Sequence, residues 1–197
     1  MQPPSRRSVL GAVCISLALS CGAALAQDPP KVSHDRHASN GPAPSPPKAS
    51  PIVQKVRAAT RRYRDINVAL GEGWVPATPC VSSPSFGAMG VHLVLPERVE
   101  DAVLNAEEPE ALIYEPLRDG KMRLVGVEFI VIAEAWDTQN PDAQPQVDGH
   151  LMNYVGAPNR YRLPAFYELH VWAWEGNPDG TFADFNRRVS CELQPAM

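Results

Sequence analysis

Lys121-Met122-Arg123-Leu124-Val125-Gly126-Val127-Glu128-Phe129-Ile130-Val131-Ile132-Ala133 decides the fold. From Leu124 to Ile132 both alternating faces are apolar, broken only by Gly126 and Glu128. That is the composition of a long strand buried on both sides. Asp119-Gly120 precedes it, a pair suited to a tight hairpin turn, and Ala111 to Glu115 supplies the partner strand. A two-residue turn would set Glu115 opposite Leu124 and Glu128 opposite Ala111. The two glutamates would then share a face, roughly 13 Å apart at a rise of ~3.4 Å per residue. A retaining glycosidase needs its carboxylates about 5–5.5 Å apart, so they do not form such a pair.

Working outward, Gly90 to Leu95 reads as a short strand and Phe166 to Glu175 as a fourth, followed by the turn Asn177-Pro178-Asp179-Gly180. Before them, Ile52, Val56, Ala59, Tyr63, Ile66 and Leu70 step by four and three, drawing one apolar stripe along a helix. Ser50 suits its N-cap, Pro51 its first turn, and Gly71 and Gly73 its end. Its other side carries Lys55, Arg57, Arg61, Arg62 and Arg64, either a solvated face or a dock for an acidic partner. Residues 136–164 are rich in Pro and Asn and read as a long irregular excursion, of the kind that often forms a lid. The expected class is α+β, with one N-terminal helix packed across a mostly antiparallel curved sheet or half-barrel.

The segments ahead of the domain read as an address and a tether. Residues 1–26 have the form of a signal peptide: Arg6 and Arg7, an apolar run from Val9 to Ala23, then Ala24-Leu25-Ala26 before the cleavage point. The arginine pair resembles a twin-arginine signal, with an ordinary Sec signal as the alternative. The apolar run is too short for a span of ~20 residues. Residues 27–50 are Pro- and Ser-rich and cannot bury enough surface to order themselves. Residues 51–197 make a single domain, expected to work in the periplasm or outside the cell. Without Arg6 and Arg7, the 18 basic residues of the chain fall to 16 against 22 acidic ones, a net charge of −6. That argues against nucleic acid or an anionic membrane as the main partner.

Cys14 and Cys21 leave with the leader. Cys80 and Cys191 remain, an even pair in an oxidising compartment, and are expected to be bridged. A metal-binding thiol pair is the alternative, without the Cys-x-x-Cys spacing that would favour it.

Several short stretches together resemble a family of exported bacterial proteins of unknown function: Gly87-Ala88-Met89-Gly90-Val91-His92, Tyr114-Glu115-Pro116, Val125-Gly126-Val127-Glu128, Leu169-His170-Val171-Trp172 and Asn177-Pro178-Asp179-Gly180-Thr181-Phe182. The helix through Tyr63-Arg64-Asp65 fits the same pattern, and both cysteines fall where that family places cysteines. The likeness covers about residues 55–191. Leu93 stands where an aromatic is usual, and Phe185-Asn186 where Trp-Asn is. The resemblance implies a single exported domain and carries no reaction with it.

Four side chains sit badly in a purely structural reading. Glu128 is a carboxylate inside an apolar strand and must be paired or protonated. His92 and His170 lie in strands, and by the period of two His170 shares a face with Trp172 and Trp174. Glu115 ends its strand. His92, Glu128 and His170 together could hold a divalent metal, zinc or iron, as two histidines and one carboxylate. The same three could instead form a buried structural hydrogen bond. Glu115, His150 and Trp172 are secondary candidates, His150 as a loop residue able to close over the site. There is no Gly-x-Ser-x-Gly elbow, phosphate-cradling glycine loop, His-Glu-x-x-His or Cys-x-x-Cys-His. Three function classes follow: a protein binding a small ligand or metal under the helix or the 136–164 loop, a metal-dependent hydrolase or oxygenase using the same cluster, or an interaction module without a site.

Overall fold

The computed structural model describes residues 49–194. The expected signal peptide, and the tether up to residue 48, lie outside the described residues. The order is α1 (Pro51–Thr60), a 3-10 turn (Arg61–Arg64), α2 (Ile66–Gly71), β1 (Val75–Pro76), β2 (Val81–Ser83), β3 (Gly87–Val94), α3 (Pro96–Glu100), β4 (Ala111–Pro116), β5 (Met122–Ile132), α4 (Ala133–Gln139), β6 (Gln146–Val147), β7 (His150–Leu151), β8 (Asn153–Val155) and β9 (Phe166–Val171). The main sheet runs β1–β3–β4–β5–β9–β8, with β2 beside β1 along the same edge of β3. Every pairing is antiparallel. The fold is thus α+β, as expected, and the sheet does not close into a barrel. No helix among the described residues is long and apolar enough to cross a membrane.

The single helix expected from 52 to 70 is broken. Thr60 Oγ1 donates back to the Val56 carbonyl, and the chain tightens into the 3-10 turn. Asp65 then leaves helical geometry and accepts the Asn67 amide, capping a second helix. Ile52, Val53, Val56 and Tyr63 are buried, but Leu70, the last member of the stripe, is exposed. These side chains pack on Leu93, Leu112, Tyr114, Val127, Phe129 and Val171, each contributing roughly 1.5–3 kcal/mol when fully buried. Tyr114 Oη ties the two layers by donating to the Tyr63 carbonyl at 2.7 Å. The basic side of α1 is partly engaged within the chain. Lys55 pairs with Asp148 at 2.8 Å, and Arg57 donates to the Ala173 carbonyl.

The central hairpin departs twice from the simple register. Its turn takes three residues, Arg118 to Gly120, with Asp119 at φ 61°, so Glu115 faces Arg123 rather than Leu124. A bulge in β5 then inserts one residue between the partners of Ile113 and Tyr114, and Glu128 returns to Ala111 as expected. The bulge also turns Val125 to the face away from the helices, where it joins Ala88, Ile113, Trp172 and Val189.

β9 ends at Val171, short of the expected Glu175. The Ala173 amide donates to the Val171 carbonyl, a tight reversal that defeats the period of two. Trp172 therefore stays on the face away from the helices. Trp174 crosses to the other side and donates to Thr60 Oγ1. Residues 136–164 are also less irregular than their composition suggested, since they finish α4 and contain the β6–β7 hairpin and the edge strand β8.

Glu110, at the head of β4, is 1% exposed. Its Oε2 accepts the Ile130 amide at 2.9 Å, just past the last β4–β5 pair. Burial pushes its carboxyl up to about 8 from an ordinary 4.5. The folded protein therefore keeps a proton that the unfolded chain loses, and stability falls as pH rises from 4.5 to 8. Glu110→Gln keeps the acceptor and removes this dependence. The wild type should lose about 1.4 kcal/mol per pH unit relative to the variant between pH 5 and 8, after which the difference stops growing. Urea unfolding at pH 5, 6.5, 8 and 9 measures the gap, and a constant gap would refute the assignment.

Candidate functional site

The polar cluster occupies the sheet face opposite α1 and α2. On this face β5 presents Val125, Glu128 and Ile130, β9 presents His170, Glu168 and Phe166, and Trp172 follows just past its end. Glu128 lies directly across from His170, and Ile130 from Glu168. β3 contributes His92 from two strands away. Ala111 of β4 stands between, opposite both Val94 and Glu128, and its methyl group leaves room above it. Apolar groups close both ends of the row. Val125, Ile113 and Trp172 lie at one end and Ile130, Phe166 and Tyr161 at the other.

His92, Glu128 and His170 are brought together: each can offer a ligand atom within 4.8 Å of the other two, and all three are buried. His92 Nε2 is 3.3 Å from Glu128 Oε2, while its Nδ1 is 3.1 Å from Thr78 Oγ1. If Nδ1–H donates to Thr78, Nε2 is left with a free lone pair facing Glu128, the form a metal ion takes up. The His92 and His170 rings meet edge to face at 5.9 Å, and Trp172 stacks on His170 at 6.2 Å.

His92 and Glu128 are not an ion pair. Burial pushes the His92 imidazole down to about 4. Burial, then the charge of Glu168, raises the Glu128 carboxyl well above its ordinary value. Glu168 is raised as well, chiefly by burial, so the two neighbouring glutamates hold their protons more tightly than free carboxyls do. His170 is pushed down to about 3, first by burial and then by neighbouring His92. Both imidazoles are thus neutral at neutral pH, as ligands must be.

His170 is the anomaly. It is 1% exposed, and neither Nδ1 nor Nε2 has a hydrogen-bond partner among the described residues. An unsatisfied buried polar atom costs about 1–3 kcal/mol. A second set of ligand atoms also meets at His170: Glu168, His170 and Asp184 lie mutually within 4.8 Å. Asp184 is half-buried on the segment that follows β9 and returns across this face. Trp172 holds that segment, its Nε1 donating to the Ala183 carbonyl at 2.6 Å and its amide to Thr181. Further on, Asn186 and Ala88 exchange backbone hydrogen bonds. The approach there is so close that a Cβ on Gly87, itself at φ +84°, would lie 2.2 Å from the Asn186 carbonyl oxygen.

A cavity of about 50 Å³ opens on the His92–Glu128 side. Thr78, Val94, Ile130, Tyr161, Leu163 and Phe166 surround it. Burial and the nearby carboxylates push the Tyr161 hydroxyl up to about 12, so it stays neutral, and it donates to Met89 Sδ at 3.4 Å. The cluster is therefore roofed in part by the 136–164 segment, which supplies Tyr161 and Leu163. It is not under the helix, whose side of the sheet is filled by the main core.

The secondary candidates divide. Trp172 belongs to the cluster. Glu115 does not: Arg123 binds its Oε2 and the Ser190 amide binds its Oε1, so it anchors the returning segment. Nor does His150 close over the site. It packs on Phe182 at 4.2 Å, between Val147 and Met152, which belong to the helix-side core, and next to Asp148, which Lys55 holds. Two residues escaped the sequence reading. Glu168 had a signal, because it lies two positions before His170 and so on its face. Asp184 had none, because nothing local shows that its segment folds back over the sheet. Cys80 and Cys191 are bridged.

No family model matches the chain, and neither a curated protein nor a solved structure matches it.

Proposed function

We propose that this is an exported protein that binds a divalent metal ion, zinc or iron, through His92, Glu128 and His170. The observation that carries the reading is His170, a neutral imidazole buried with both nitrogens unpartnered inside a converging set of ligand atoms. Two imidazoles and a carboxylate suit either metal and leave further positions open. Export is supported by the leader-like residues 1–26 and by the Cys80–Cys191 bridge.

Protein purified without chelators should contain at least one equivalent of zinc or iron by elemental analysis. After chelation it should regain zinc with at least micromolar affinity, and His92→Ala should weaken that affinity about a hundredfold or more. Wild-type protein that takes up neither metal would refute the reading. A second reading, a metal-dependent enzyme, is favoured by the small cavity at the His92–Glu128 edge. Its volume admits a water molecule or a substrate of very few heavy atoms, and turnover by the metal-loaded protein alone would establish it.

A further inference from the structure

We infer that the cluster is a two-ion centre, with Glu168 and Asp184 holding a second divalent cation and the His170 ring bridging the pair. This inference rests on the metal-binding reading above and extends it.

The ligand atoms fall into two triads. His92, Glu128 and His170 form one, and Glu168, His170 and Asp184 the other. The five do not merge into one set within the same distance, so one ion does not reach all of them. The triads share only His170, and His170 is the residue with two unpartnered nitrogens. An imidazole ring carries two nitrogens that point away from each other, and in the proposed centre each triad takes one. Two ions on one ring require the imidazolate, so the remaining ring proton leaves to solvent as the second ion binds, and no redox partner is involved. Trp172 stacked on one side of His170 and His92 edge-on to it fix the ring orientation. The composition also fits a pair of cations. Two neutral histidines and three carboxylates lie together in a buried row, and no Lys or Arg side chain pairs with Glu128, Glu168 or Asp184 among the described residues. The two sites differ in kind: the first has two nitrogens and one oxygen, the second one nitrogen and two oxygens from a partly open segment. The second therefore suits the harder cation and should bind more weakly.

The test is zinc stoichiometry of the chelator-stripped full chain, by titration calorimetry and elemental analysis, for wild type and Asp184→Asn. Asp184 is half-buried and outside the sheet, and Asn keeps its shape, so the variant should fold. The expected values are two equivalents for wild type and one for Asp184→Asn, with the tighter ion retained. Copper(II) then reports the bridge, because two ions on one imidazolate couple magnetically and suppress the isolated-copper resonance, which the variant should restore. One equivalent in both proteins would overturn the second site and leave the first standing. Two equivalents in both would place the second ion elsewhere and also overturn it. Uncoupled copper in a two-ion wild type would overturn the bridge. No zinc in either protein would overturn the two-ion centre, and a wild type that takes up no iron either would overturn the metal-binding reading itself.

Discussion

Glu128→Gln should abolish tight metal binding, lowering zinc affinity about a hundredfold or more, yet leave the metal-free protein at least as stable as wild type. Removing a residue that only orients a ligand already costs 10–100-fold, and Glu128 is argued to be a ligand itself. The stability half follows from its protonation. Burial and the Glu168 charge raise its carboxyl well above 4.5, so at neutral pH the unfolded chain gains by releasing a proton that the fold retains. A carboxyl raised in this way lowers stability above its unfolded pKa, and the penalty disappears as pH falls toward 4. Gln has the shape of the protonated acid and carries no charge to bury beside Glu168. The expected gain in chelator is about 1 kcal/mol or more at pH 7, shrinking at pH 4. Zinc titration and urea unfolding in chelator measure the two halves. A variant that keeps zinc affinity but loses 2 kcal/mol or more would identify Glu128 as a structural hydrogen-bond partner.

The same incongruity made part of this site legible in the sequence. Glu128 interrupts an apolar strand, and a buried carboxylate demands a compensating group. His92 and His170 were the strand histidines available, and the fold brings them to it. Which face they occupy was not legible. The period of two groups residues within one strand, but it does not say which group the helix covers. Local irregularities hid more. A turn one residue longer than Asp119-Gly120 suggests and a bulge at Val125 cancel by Glu128, so its partner Ala111 follows from the simplest register while that of Glu115 does not. The hydrogen bond from Ala173 to Val171 moves Trp174 to the helix side. Asp65 is a good capping residue, but the apolar stripe runs past it without a break, so the interrupted helix read as continuous. Glu168 follows from parity with His170. Asp184 depends on a backbone path that only long-range contacts define.

That path makes the disulfide the chain's most consequential covalent feature. Replacing both Cys80 and Cys191 by Ala should destabilise the protein by about 4–5 kcal/mol. The two are 111 residues apart, and closing a loop of that size in the unfolded chain carries about that much entropy. The bridge is one of several ties on the returning segment. Gln194 Oε1 accepts the Cys80 amide, the Ser190 amide donates to Glu115, and Val189 packs with Ala88, Ile113 and Trp172. Those ties do not lower the entropy of the unfolded chain, so the full loss should appear in urea unfolding of metal-free protein. A second consequence separates this segment from the rest of the fold. Asp184 lies on it, whereas His92, Glu128, Glu168 and His170 lie on β3, β5 and β9. Loosening the segment should therefore weaken the second zinc equivalent by tenfold or more while the first changes little. Equal weakening of both would mean that the bridge supports the whole sheet face. A stability loss under 1 kcal/mol would mean that residual structure already confines the unfolded chain without the bridge.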